Sequence, residues 1–89
     1  MARLEMHDVI AAPVAGGNAT ADVLFELGLM YCIGRDVEQD YIAAHKWFNL
    51  AAIRGSKDAR DYRIEIAREM SPLEVAEAQR QARAWLTMH

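Results

Sequence analysis

From Thr20 onward, apolar residues return at every third or fourth position, and the pattern is cut at Gly34, at Gly55 and at Ser71-Pro72. A recurrence of three to four is the period of an amphipathic α-helix. The interruptions are too short for anything but tight turns, so successive helices must fold back on one another. Four helices in two antiparallel hairpins are therefore predicted. An all-α chain of 89 residues makes one domain at most, and one that buries only a modest share of its surface.

The first helix is expected from about Thr20 to Ile33, with Asn18 or Thr20 as its cap and Asp22 in its first turn. Leu24, Leu27, Gly28 and Tyr31 fall on one stripe, and Phe25, Leu29 and Cys32 form a second apolar row beside it. Only Asp22 and Glu26 are charged, so this helix should be contacted on more than one side. A loop, Gly34 to Gln39, leads to a second helix from about Asp40, its cap, to Arg54. Tyr41, Ala44, Trp47, Phe48, Ala51 and Ala52 make its inner face, and Gly55 terminates it. His45 is expected at the helix surface. Ile42, Leu50 and Ile53 lie outside the inner face and would form an exposed patch if nothing covers them.

The third helix, about Ser56 to Met70, carries Ala59, Tyr62, Ile66 and Met70 as its core stripe. The fourth opens on Ser71-Pro72-Leu73-Glu74, a capping box with proline at the first helical position. It is expected to reach about Leu86, with Val75, Ala78, Ala82 and Trp85 inward. Residues 1–19 stand apart from the helical domain, 20–89. They hold Pro13 and Gly16-Gly17, and no sustained period. Gly16 to Ala19 reads as a linker. Leu4 to Val14 is either a docked arm or short helix, or a frayed tail.

The two hairpins echo each other. Ala44-x-x-Trp47 returns 38 residues later as Ala82-x-x-Trp85, which sets Phe48 against Leu86. The first and third helices match less well, at an offset of 36: Val23 meets Ala59, but Gly28 meets Ile64 and Tyr31 meets Ala67. A first repeat, 20–55, and a worn second one, 56–86, describe this pattern. Within the first, Leu27-Gly28-Leu29-Met30-Tyr31, Gly34-Arg35-Asp36-Val37, Asp40-Tyr41, Ala44-His45-Lys46-Trp47 and Ala51-Ala52-Ile53-Arg54-Gly55 resemble the Sel1-like repeat, a relative of the tetratricopeptide repeat. The resemblance implies a short α-solenoid that acts as an adaptor or scaffold. One departure is Asp36, where that pattern usually has a second glycine; Asp tolerates a positive φ better than most residues, though less well than glycine. The motif also has a physical reading of its own. Gly28 lets a helix approach closely, Ala44, Ala51 and Ala52 do the same from the other side, and Tyr31 and Trp47 supply large buried area with a polar tip.

Chemistry is sparse. His7, His45 and His89 lie in three regions with no metal-ligand spacing. Cys32 is the one cysteine, set in an apolar helix where an inert thiol is the common case. Some relatives of the resembling family are cysteine-rich and linked to enzymatic activity, and those cysteines are missing here. Asp58, Asp61, Glu65 and Glu69 are interspersed with Arg54, Lys57, Arg60, Arg63 and Arg68, which reads as a solvated ion-paired face, with a recognition patch as the alternative. No catalysis and no cofactor are expected. A net charge of −3 with bases and acids mixed argues against nucleic acid. No apolar run is long enough to span a bilayer. Arg3, Glu5, Asp8 and the short run Val9 to Ala12 make a poor signal peptide, so the cytoplasm is the expected location. The function expected is binding of a protein or peptide partner, or of a second copy of the chain. By the resemblance, Phe25, Leu29 and Cys32 would face that partner or the arm around Val9 and Ile10. The alternative is that the third or fourth helix covers them.

Overall fold

The computed structural model describes residues 20–88. Expectations for residues 1–19, the linker and the arm among them, and for His89 lie outside these. Four helices follow in order: α1 Ala21–Ile33, α2 Tyr41–Ile53, α3 Lys57–Ala67 and α4 Pro72–Met88. No strand occurs among the described residues. The architecture is the expected pair of antiparallel hairpins, stacked as a short α-solenoid.

Each helix starts where a side chain can take a backbone N–H that has no partner within the helix. Thr20 Oγ1 accepts from the Val23 N–H at 3.3 Å, Asp40 Oδ1 from Ala43 at 3.1 Å and Ser56 Oγ from Ala59 at 3.1 Å. At α4 the capping box closes both ways. The Glu74 N–H donates to Ser71 Oγ at 3.1 Å, and the Ser71 N–H donates to the Glu74 carboxylate at 2.8 Å. The end of α1 is equally well held. Gly34 has φ 76° and donates to the Met30 carbonyl at 2.8 Å. The Asp40 N–H reaches the Tyr31 carbonyl at 2.9 Å, and the Gln39 side-chain amide reaches that of Cys32 at 2.9 Å. Asp36 adopts φ 65°, a left-handed conformation, at the position where the resembling pattern usually has glycine.

α2 is the centre of the packing. It lies against α1, α3 and α4, whereas α1 touches α3 only lightly. α3 and α4 make less contact with each other than either makes with α2. The core is Val23 and Leu24 of α1, Ala44, Phe48, Leu50 and Ala51 of α2, Ala59 and Ile66 of α3, and Ala82 of α4, with Ala78 also buried. Met70 and Trp85 pack against it from partly exposed positions, as do Leu27 and Tyr31.

Because α2 is covered from three directions, its buried arc is wider than one stripe. His45 is therefore inside, 3% exposed, not on the surface. Leu50 is buried too, so the patch of Ile42, Leu50 and Ile53 does not form; Ile53 alone of the three is strongly exposed. Two helix ends also differ from expectation. α3 stops at Ala67, three residues early, and α4 continues to Met88.

Candidate partner-binding surface

The row Phe25, Leu29 and Cys32 runs along α1 and is half-buried throughout. Its members do not share one environment. The Phe25 ring lies 5.8 Å from Phe48 and 5.5 Å from Tyr62, and Phe48 and Tyr62 stack on each other at 5.5 Å. These three rings tie α1, α2 and α3 together, with Tyr62 still 44% exposed at the outer edge. Leu29 and Cys32 pack on the core from the side while keeping part of their surface. Burial pushes the Cys32 thiol pKa up, so it stays protonated at neutral pH. Thiolate reactivity is therefore suppressed.

The residues of the sequence motif occupy the α1–α2 contact and the loop that closes it. Gly28 is buried face to face with Phe48: a Cβ there would overlap the ring. Ala44 and Ala51 are fully buried, and Ala52 is half-buried. This is a hairpin whose closeness depends on residues too small to hold the helices apart. Residues 21–56 match the Sel1 repeat. Sel1 repeats are tetratricopeptide-like helical pairs and generally mediate protein–protein contact. No curated protein and no solved structure is similar enough to the chain to count as a match. Within the matched segment Trp47 is not a core residue in the sense of Phe48. It is half-buried and meets Trp85 of α4 edge to face, with centroids 5.9 Å apart.

The polar groups of the described residues divide into few clusters. Arg63 of α3 donates to the Asn49 side chain of α2 at 2.8 Å. The same guanidinium lies near His45, whose pKa is lowered first by burial and then by Arg63. Among the described residues His45 Nδ1 finds no hydrogen-bond partner. The exposed pairs Arg35–Glu26 and Arg68–Glu65 span 3.5 and 3.2 Å and contribute little in water. Glu77 is held down at about 2, chiefly by its hydrogen bond to Arg80 and then by the one from Gln81. Among the described residues no group of three His, Cys, Asp or Glu is placed to hold a metal ion, and no helix is long and apolar enough to cross a membrane. The juxtaposition of Lys46, Trp47 and Trp85 between α2 and α4 was not read from the sequence as a site. The shared Ala-x-x-Trp spacing was the signal that would have found it.

Proposed function

We propose that this chain is a protein-interaction module, an adaptor or scaffold, with residues 56–86 serving as a worn second repeat behind the Sel1 repeat. The observation that carries the reading is the apolar row on α1. Leu29 and Cys32 keep accessible surface on the same row of α1 as Phe25, whose ring meets the exposed Tyr62, in a segment that matches a repeat of a kind that generally works by contact with other proteins. A partner segment laid along α1 would cover these side chains and the outer face of Tyr62 together, and removal of that apolar area from water would drive the contact. A cytoplasmic setting suits a sequence whose one cysteine has no second thiol to pair with.

Phe25 is unsuitable for testing this, because its ring is shared with Phe48 and Tyr62 and its loss would loosen the fold. Leu29→Arg is the informative change. It should leave helicity and the melting transition close to those of the parent while abolishing capture of the native partner by the immobilised chain. Unchanged capture by a folded Leu29→Arg variant would remove the α1 row from the interface.

A further inference from the structure

Where α4 crosses α2 there is an open hollow of about 270 Å³, lined by Lys46, Arg80, Gln81, Ala84, Trp85 and Met88. Ala84, Trp85 and Met88 make it apolar on one side, and Lys46 and Arg80 bring two cations to the other. The two cations differ in a way that matters. Arg80 already grips Glu77 with Nε at 2.9 Å and Nη2 at 2.6 Å, and Glu77 also accepts the Gln81 amide at 2.8 Å. That carboxylate is engaged at both oxygens. Lys46 has no such partner: among the described residues, no carboxylate lies within ion-pair distance of its ammonium. The ammonium rests 4.3 Å above the Trp47 ring instead. It is half-buried, and burial lowers its pKa while Asp40 opposes the shift.

A half-desolvated cation whose nearest attractive carboxylate, Asp40, stays beyond ion-pair distance is a site with unmet demand. Contact with an indole recovers only part of what hydration supplied, and a carboxylate would supply the rest through charge-assisted hydrogen bonds. We propose that this hollow binds an acidic peptide segment, with a carboxylate side chain on Lys46 and a neighbouring apolar side chain laid over Trp85 and Met88. Size and shape favour a peptide over a free small molecule. The space is somewhat below the roughly 300–1,000 Å³ of small-molecule sites. It is also open, so it accepts two side chains of a chain passing across it while the backbone stays outside. The balance of charge agrees: Glu77 neutralises Arg80, Asp40 acts on Lys46 only from beyond ion-pair distance, and the Arg54 guanidinium lies 5.6 Å from the Trp85 ring centroid as a further cation. The overall net charge of −3 does not set this local field, because screening confines it to about a Debye length, roughly 10 Å. The hollow belongs to α2 and α4, whereas the row proposed above belongs to α1, so neither reading stands on the other.

The sequence has two tryptophans; Trp85 lines this hollow, and Trp47 lies beneath the Lys46 ammonium and against Trp85, so intrinsic fluorescence reports on it. The probe is a capped tetrapeptide, Gly-Glu-Leu-Gly, titrated into the full chain beside its Gly-Gln-Leu-Gly counterpart and sodium acetate. A saturable fluorescence change is expected with the glutamate peptide at about millimolar concentration, the range two side-chain contacts can supply. Binding should be weakened roughly tenfold or more by the glutamine exchange, by Lys46→Met and by added salt. Lys46→Met keeps the apolar stem over Trp47; Lys46→Gln serves in its place if the first variant melts early. Amide shifts on binding should centre on Lys46, Ala84, Trp85 and Met88. The proposal fails if the glutamate peptide gives no saturation, if the glutamine peptide or the Lys46 variants bind as well, or if acetate alone does as much. It also fails if the shifts centre on Leu29 and Cys32.

Discussion

A methyl group added at Gly28 would run into the ring of Phe48, and that ring is fully buried and has no open direction in which to move. Alanine normally improves a helix interior by about 1 kcal/mol over glycine, but overpacking a tight contact costs roughly 1–3 kcal/mol. Gly28→Ala should therefore lower the midpoint of a urea or thermal melt; a rise would mean that the α1–α2 contact is looser than it looks. Asp36 is the opposite case. At φ 65° its side chain works against the backbone, at a cost of roughly 1–2 kcal/mol, part of which glycine gives back through greater freedom in the unfolded chain. Asp36→Gly should raise stability by about 0.5–1 kcal/mol, read in the same melts. His45 is held below its ordinary pKa of 6.5 by burial and by Arg63. It is thus neutral in both states above pH 6.5, where its contribution to stability is complete. As pH falls below that value the unfolded chain takes up a proton that the folded one resists, and stability drains away toward the lower folded pKa. The urea midpoint followed from pH 8 down through about pH 5 should show this loss, and His45→Leu should flatten it. A midpoint equally steep in the variant would assign the acid limb to other groups.

The helices themselves were readable because they are specified locally. Thr20, Asp40, Ser56 and Ser71 each place an oxygen over the first turn, Gly34 and Gly55 each take positive φ, and none of this needs tertiary information. Ser71→Ala removes one half of a reciprocal cap and should cost α4 about 1 kcal/mol, visible as reduced helicity with the melt shifted down by a few degrees. What the sequence concealed was how many neighbours α2 would have. A single inner stripe suits a helix with one partner; with three, His45 and Leu50 are enclosed as well. Trp47 is expected on the inner face of its helix, supplying large buried area. It is only half-buried, so Trp47→Ala should cost about 1–3 kcal/mol, less than the roughly 3–5 kcal/mol expected for Phe48→Ala. On α1 the row of Phe25, Leu29 and Cys32 was visible as a pattern, but its division between an aromatic junction and open surface depends on where Tyr62 arrives from α3. The looseness between α3 and α4 has a residue-level cause. Ile64 stands 36 positions after Gly28, and Leu86 stands 38 after Phe48. An isoleucine cannot offer the close seat that glycine does, and both Ile64 and Leu86 are left exposed, at 44% and 39%.

Taken as a whole, the molecule hangs on α2, with α1, α3 and α4 each resting on it. No helix can leave without exposing part of the same core, so unfolding should be a single cooperative transition. Far-ultraviolet circular dichroism, which follows all four helices, and tryptophan fluorescence, which follows the α2–α4 contact, should melt together. Separate midpoints would show α4 detaching first. The same arrangement has a consequence for how the fold is reached in time. α2 sits in the middle of the chain as well as in the middle of the packing, joined to α1 and α3 by connections only a few residues long. Most loops that must close are therefore short, and helical chains dominated by such near contacts fold in microseconds to milliseconds. Once α1 and α2 have clasped around Gly28 and Phe48, α3 and then α4 each find a surface already formed. The search for the native state becomes a series of short additions, made in the order in which the chain leaves the ribosome.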